Sequence, residues 1–174
     1  MTLHRVMALV LVAGCAPPTQ VPINKDRTAP SVLGNIDGSA DLDGAPIGPS
    51  SARATLVVVF ASWCEHCKVE LGVIDSLRAK HPRLRILGVS YKAHEEYAAR
   101  GSSSALRGYI AAHAPWLRVI PADDALFVAL GSPSKVPTIY VFDHGGGLAA
   151  HYDRRQRAMP DAAELSALLV RLGA

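Results

Sequence analysis

Hydrophobic residues dominate three runs in the middle and later part of the chain. Residues 55–61 read TLVVVFA, residues 84–90 read LRILGVS, and residues 138–142 read TIYVF. Short apolar runs rich in β-branched residues are typical of strands, and an unbroken run such as the first indicates burial on both faces. We therefore predict three core strands. Residues 148–152 are expected to pair back antiparallel after the glycine-rich turn at 143–147.

Other segments place their hydrophobic residues every three or four positions, which is typical of amphipathic helices. In residues 64–80 one apolar stripe contains Cys67, Leu71, Ile74 and Leu77, and Pro82 ends the helix. Three further helices are predicted, at residues 94–113 with an interruption at Gly101, at residues 123–131, and from Pro160-Asp161 onwards.

The order of these elements predicts an α/β domain with a mixed central sheet flanked by helices. Before the first core strand, residues 32–51 contain the turn signals Asp37-Gly38 and Asp43-Gly44 around short apolar pieces. This pattern predicts an N-terminal hairpin. The strand–helix–strand unit that follows favours a parallel pair with a right-handed crossover.

The first residues of the chain have the pattern of a targeting signal. A short positive start is followed by an apolar run at residues 6–13, VMALVLVA. Its length suits the apolar core of a secretory signal, which is roughly 7–15 residues long, whereas a membrane span would need about 20. Residues 16–31 are rich in proline and polar residues, so they are expected to form an extended tether.

The segment Val12-Ala13-Gly14-Cys15 resembles the lipobox of bacterial lipoproteins. The resemblance implies that residues 1–14 are a signal peptide, and that Cys15 becomes the acylated first residue. Residues 15–31 would then be the lipidated cysteine with its tether, and residues 32–174 the folded domain. Ala16 is not aspartate, which by the sorting rule of that family points to the outer membrane. An ordinary signal peptide with an incidental cysteine is the alternative.

Composition and charge exclude some classes of partner. The chain has 174 residues, 49% of them hydrophobic, and a formal net charge of +3. This charge is too small and too evenly spread for a nucleic-acid partner. Only three cysteines are present, fewer than a small disulfide-stapled scaffold would carry. One is near the N-terminus and two form a close pair.

The pair lies in Cys64-Glu65-His66-Cys67, where the first core strand ends and a helix begins. Two residues between cysteines at a helix start let the sulfurs meet in a tight ring. Unpaired backbone N–H groups and the positive end of the helix dipole favour thiolate over thiol there. Thiolate is the attacking species in disulfide exchange. We therefore assign Cys64 as the nucleophile and Cys67, on the apolar stripe, as the resolving thiol.

The segment from Phe60 to Lys68, FASWCEHCK, resembles the active-site segment of membrane-anchored thioredoxin-like proteins of the TlpA/ResA type. Val136-Pro137-Thr138 resembles the cis-proline segment of the same fold. The resemblance runs from about residue 33 to the C-terminus. It implies a thioredoxin fold with an N-terminal hairpin and an extra helix between the second and third core strands.

The same resemblance assigns roles to further residues. Pro137 would be the cis-proline against the disulfide, Val136 would pair with substrate backbone, and Trp63 would form part of the docking surface. Glu70 matches an acidic position three residues past the second cysteine, where it could relay a proton. Two positions depart from related patterns: Val58 replaces the buried acid of cytosolic thioredoxins, and Gly72 stands where a proline often kinks the helix.

Two cues disagree about the direction of electron flow. His66 places positive charge near Cys64, which stabilises the thiolate and favours a DsbA-like oxidant. Glu65 opposes this effect with negative charge, and the resembled family usually acts as reductants, for example in cytochrome c maturation. We favour a reductant or general exchanger. A structural disulfide and a metallochaperone using the cysteine pair with His66 are the alternatives.

The expected partners follow from this chemistry. Protein thiols and disulfides would be the substrates, and a membrane-bound thiol protein would supply or accept electrons. No Gly-rich phosphate loop or flavin site is evident, so no cofactor is expected, and a closed metal site would need more ligands than one cysteine pair offers. We expect a monomer, held to a bacterial membrane on its periplasmic side by the lipid on Cys15.

Overall fold

A computed structural model describes residues 31–155 and 158–174 of the chain. Its strands and helices are interleaved along the chain. The strands are β1 (Ala54–Val59), β2 (Leu84–Tyr91), β3 (Arg118–Ala122), β4 (Thr138–Asp143) and β5 (Leu148–Asp153). The helices are α1 (Val32–Asp37), α2 (Glu65–Arg78), α3 (Lys92–Glu95), α4 (Ser103–His113), α5 (Asp124–Ala129) and α6 (Ala162–Leu172), with a 3₁₀ turn at Tyr97–Ala99.

The five strands form one mixed sheet in the order β3-β2-β1-β4-β5. The first three strands are parallel to one another, and β4 runs antiparallel to both β1 and β5. All six residues of β1 are buried, because this strand lies in the middle of the sheet and is covered on both faces. The mixed sheet flanked by helices that the element order predicts is therefore confirmed.

The two faces of the sheet carry separate hydrophobic cores, because successive side chains of a strand point to opposite sides. Leu56 and Val58 belong to the core that contains α2 and α6, with Ile74 and Leu165. On the other face, a second core is built from alternate β1 residues and from α1 and α5; it includes Val57, Val59, Ile36 and Leu126.

The predicted N-terminal hairpin is wrong for residues 32–37, which form a helix. The hydroxyl of Ser31 caps that helix by accepting a 2.9 Å hydrogen bond from the N–H of Gly34, and Ile36 is fully buried. Packing of this short apolar piece against the sheet therefore outweighs its turn-rich composition. Within the described residues, only one isolated antiparallel bridge, between Ala40 and Pro46, remains of the hairpin.

The region between the second and third predicted core strands is more complex than one interrupted helix. The break near Gly101 is present, and α4 begins after Ser102, whose hydroxyl accepts from the N–H of Ala105. Strand β3 is not predicted by the sequence pattern. This strand contains Pro121, which argues against a strand interior but is tolerated at a sheet edge.

No helix within residues 31–155 and 158–174 is long and apolar enough to cross a membrane.

Candidate active site

Cys64 and Cys67 form a disulfide at the N-terminus of α2, with their Cα atoms 5.2 Å apart. Cys64 is the N-cap residue, with extended backbone angles, and its Sγ accepts a 3.2 Å hydrogen bond from the N–H of Cys67. Cys67 is fully buried and Cys64 is 6% exposed. The sulfur of Cys64 therefore takes the capping position that a serine or aspartate oxygen commonly occupies.

This position follows from the sequence around the pair. The buried strand β1 ends at Val59, and the short connection at residues 60–63 turns the chain into α2. The first N–H groups of a helix lack internal partners and carry the positive end of its dipole. A negative charge on the Sγ of Cys64 would therefore be stabilised more than one on the Sγ of Cys67, which lies inside the first turn.

The loop before β4 completes one wall of the site. The Val136–Pro137 peptide bond is cis, and the carbonyl oxygen of Val136 lies 3.7 Å from the Sγ of Cys64. The sheet brings these distant segments together, since Thr138 is the register partner of Val59 in the antiparallel β1–β4 pair. Pro137 is buried, and Val136 is half-buried.

Trp63 stands directly before the cysteine pair and is half-buried. Its indole N–H lies 2.9 Å from the carbonyl oxygen of His94 and 3.0 Å from that of Glu95. The guanidinium carbon of Arg100 lies 5.3 Å from the centroid of the indole ring, which is within cation–π range. The ring is thus held by the segment that follows β2.

Glu70 is buried one turn after Cys67 on α2, with 4% of its surface exposed. Residues three apart on a helix share a face, so its carboxyl group lies on the same side of α2 as Cys67. Among the described residues, its Oε1 finds no hydrogen-bond partner. Burial raises the pKa of Glu70 to about 7, because the charged form loses its hydration. This group can therefore gain or lose a proton near neutral pH.

Glu65 and His66, the two residues between the cysteines, are both exposed. The pKa of the Tyr109 phenol on α4 is raised, mainly because the phenol is buried and additionally because of the negative charge of Glu65. Because water screens exposed charges strongly, each residue is expected to tune the sulfur of Cys64 only modestly.

Two residues without a distinguishing sequence signal, Ser62 and Glu95, also contact this site. Ser62 and Glu95 are hydrogen-bonded across 33 residues of sequence, and Glu95 is 3% exposed. In the sequence, Glu95 stands beside Glu96 in a predicted helix, where acidic residues usually face water. No local pattern could have distinguished the two.

Other expectations lie beyond this geometry. Cys15, the signal segment and most of the tether fall outside the described residues. Across residues 31–155 and 158–174, no three His, Cys, Asp or Glu side chains are grouped so that they could hold a metal ion.

Several solved structures share this architecture. A secreted Mycobacterium tuberculosis disulfide oxidoreductase, described as homologous to E. coli DsbE, aligns with a TM-score of 0.60 and 17% identity over 76% of this chain and 93% of its own. A thioredoxin-like protein from Aeropyrum pernix aligns with a TM-score of 0.64 and 15% identity, over 80% of this chain and 92% of its own. The N-terminal domain of PilB from Neisseria gonorrhoeae aligns with a TM-score of 0.63 and 20% identity, over 83% of this chain and 94% of its own.

These similarities extend over most of each chain, and they establish that this protein has the thioredoxin fold. No family model matches the sequence, and no curated protein matches it significantly.

Proposed function

We propose that this chain is an extracytoplasmic thiol–disulfide oxidoreductase that acts on protein substrates. One observation carries the proposal: the Cys64–Cys67 disulfide caps α2, with the Sγ of Cys64 next to both the N–H of Cys67 and the carbonyl of Val136. The similar M. tuberculosis protein, described as a secreted disulfide oxidoreductase, supports the same reading.

The exchange proceeds in two displacements, written here for the reducing direction. The Cys64 thiolate attacks one sulfur of a substrate disulfide, the substrate S–S bond breaks, and one substrate thiolate leaves. The thiolate of Cys67 then attacks the Sγ of Cys64, which releases the second substrate thiolate and forms the Cys64–Cys67 disulfide. Two electrons pass to the substrate, whose two sulfurs take up protons. The oxidising direction is the exact reverse.

Three residues around the sulfur of Cys64 form the proposed docking surface. Val136, whose carbonyl oxygen lies 3.7 Å from the Sγ of Cys64, would pair its backbone with an extended substrate segment, and the buried Pro137 would line the site beside it. Trp63, the residue before Cys64, would supply a flat apolar face. A substrate disulfide bound between them would approach the exposed part of Cys64 and leave Cys67 covered.

Glu70 is the proposed proton relay. A buried thiol must lose its proton before it can resolve the mixed disulfide, and a nearby group with a pKa near the working pH serves best as the base. Glu70 meets both conditions because it shares the buried face of α2 with Cys67 and its pKa is about 7.

We favour the reducing direction, in cytochrome c maturation or thiol maintenance. Glu65 and Glu70 each place a carboxyl group on the first turns of α2, and negative charge there disfavours the thiolate. The opposing charge of His66 lies in solvent. Electrons would come from a membrane-bound thiol protein. A DsbA-like oxidant is the alternative in which the effect of His66 prevails.

The proposed location rests on the sequence. Cys15 would carry the lipid, and more than one acyl chain would give stable anchoring. The domain would then be a monomer tethered on the periplasmic side of a bacterial membrane, the outer one by the sorting rule. Incorporation of a radiolabelled fatty acid tests this: wild type should be labelled and Cys15→Ser should not.

The reduction potential of the purified chain, equilibrated against glutathione or dithiothreitol, tests the activity, with Cys64→Ser as the control. A value near that of thioredoxin, about −270 mV, identifies a reductant, and a value near that of DsbA, about −120 mV, identifies an oxidant. The absence of any dithiol–disulfide couple would overturn the proposal. Stoichiometric Cu(I) binding together with inactive insulin reduction would favour the metallochaperone.

A further inference from the structure

Glu95 is a buried acid that the exchange steps above do not use. It ends α3, on the segment that follows β2, and it is 3% exposed. Its Oε2 accepts a 2.8 Å hydrogen bond from the N–H of Ser62, and its Oε1 accepts from the hydroxyl of the same residue. Both carboxyl oxygens are therefore engaged by one residue of the β1–α2 connection.

This pair of hydrogen bonds constrains the chain just before the redox site. Burying a carboxyl group is costly unless hydrogen bonds replace its water, so Glu95 and Ser62 each depend on the other's position. One bond fixes the peptide plane of Ser62 and the other fixes its side chain. Because Ser62 lies two residues before Cys64, its hydrogen bonds to Glu95 help fix the direction in which the backbone enters α2.

The same segment also holds the next residue, Trp63. The indole N–H points at the carbonyl oxygens of His94 and Glu95, and the ring is flanked by Tyr97, with centroids 6.1 Å apart, and by Arg100. Residues 92–101 thus contact both Ser62 and Trp63, the two residues that precede Cys64. We call these ten residues the clasp.

The clasp is closely packed against the connection. A Cβ atom on Gly101 would lie 2.6 Å from the carbonyl oxygen of Glu95 and 3.0 Å from Cδ1 of Trp63, so no larger residue fits without movement. Ala98 and Ala99 adopt left-handed backbone angles, with φ of 52° and 57°. Non-glycine residues hold such angles only where the surrounding structure imposes them. The close approach at Gly101 therefore lets the clasp lie directly against Trp63.

We propose that Glu95 is the positioning residue of the redox site: through Ser62 it sets where Trp63 lies beside Cys64, and so controls exchange with protein substrates. The inference rests on the proposed function, because it names what presents the docking surface. Exchange with a small disulfide does not need that surface. Loss of Glu95 should therefore slow the reaction with proteins far more than the reaction with glutathione disulfide.

The test uses the full chain with Trp116→Phe, so that Trp63 is the only tryptophan. Glu95→Ala, Glu95→Gln and the matched control Glu96→Ala are compared, because Glu96 is the neighbouring glutamate and is exposed. Two quantities are measured. The first is kcat/KM for insulin relative to glutathione disulfide, and the second is the change of Trp63 emission when the neighbouring disulfide, which quenches it, is reduced.

Glu95→Ala is expected to lower the insulin-to-glutathione ratio about tenfold, since small misplacements of binding groups have large kinetic effects, and to diminish the emission change. Glu95→Gln should restore both. Its amide oxygen can accept from the N–H of Ser62, and its amide nitrogen can donate to the hydroxyl. Glu96→Ala should match the parent.

An unchanged ratio and an unchanged emission signal in folded Glu95→Ala would overturn the inference. If Glu95→Ala does not fold, Ser62→Ala provides the test instead, because this substitution removes only the hydroxyl donor. It should lower the ratio by about threefold to tenfold, the worth of one hydrogen bond, and an unchanged ratio would count against the role of Glu95.

Failure of the proposed function gives a different result. If the parent chain catalyses no disulfide exchange, the proposed oxidoreductase function is refuted. The emission of Trp63 in Glu95→Ala and Glu95→Gln would still report whether Glu95 positions the indole.

Discussion

The backbone N–H of Cys67 donates a 3.2 Å hydrogen bond to the Sγ of Cys64. This contact makes the first sulfur the cap of α2 and leaves the second inside the helix. The two cysteines are therefore not equivalent: Cys64 lies at a helix N-terminus, which would stabilise a negative charge on its sulfur, and it has a small exposed surface, whereas Cys67 is fully buried. The order of attack proposed above depends on this difference.

Single substitutions of the two cysteines should separate these roles. Cys67→Ser is expected to accumulate a mixed disulfide with a protein substrate, because attack by Cys64 occurs and resolution does not. Cys64→Ser should form none, since the buried thiol of Cys67 cannot reach a substrate. Intact mass spectrometry after incubation with oxidised insulin measures the adduct. Equal adducts in both variants would contradict the assignment.

The residues between the cysteines should shift the reduction potential in opposite directions. His66→Ala is expected to lower it by up to about 30 mV, and Glu65→Gln to raise it by a similar amount, because charge near Cys64 changes the stability of the thiolate. Both shifts stay small because the side chains are exposed. Equilibration with glutathione measures them, with the exposed Lys80→Ala, just beyond the C-terminal end of α2, as the control. A shift of the opposite sign in either variant would refute this view of the motif.

Glu70 should make stability depend on pH. Its pKa is raised from 4.5 to about 7 by burial, so the folded chain binds this proton more tightly than the unfolded chain does. The free energy of unfolding should therefore fall as pH rises from about 4.5 to about 7, and level off above it.

Glu70→Gln removes this titration. The free energy of unfolding of Glu70→Gln minus that of wild type should therefore be about 1–3 kcal/mol larger at pH 8 than at pH 5. Urea unfolding at the two pH values measures the difference, with exposed Glu96→Gln as the control. Parallel pH profiles for wild type and Glu70→Gln would show that Glu70 is not buried in solution.

Two glycines should respond oppositely to alanine. A Cβ on Gly88 in β2 would lie 2.8 Å from Cε1 of Phe60 and 3.0 Å from Cδ2 of Leu117, so Gly88→Ala should cost about 1–3 kcal/mol through overpacking. Gly72 in α2 has open space around it, and Gly72→Ala should add about 0.5–1 kcal/mol because alanine favours helix. Thermal unfolding compares them, and destabilisation by both would contradict this packing.

The sequence by itself determined most of the elements and the place of the cysteine pair among them. Strands β1, β2 and β4 fall on the runs at residues 55–61, 84–90 and 138–142, with β1 ending at Val59, because β-branched apolar residues suit a sheet covered on both faces. Likewise, the 3–4 spacing of Cys67, Leu71, Ile74 and Leu77 marks the buried stripe of α2. Both are local patterns, so they can be read without knowing the rest of the fold. The position of the cysteine pair at a strand–helix junction follows from the same patterns.

Only the tertiary structure decided what depends on distant contacts. Residues 32–37 form a helix because Ile36 reaches the core, and residues 118–122 form an edge strand because β2 offers a parallel partner, in spite of Pro121. Glu95 looks like Glu96 in the sequence, and only the fold buries one against Ser62 and leaves the other in water. Contacts across tens of residues depend on which surfaces meet when the sheet assembles, and no local periodicity records that.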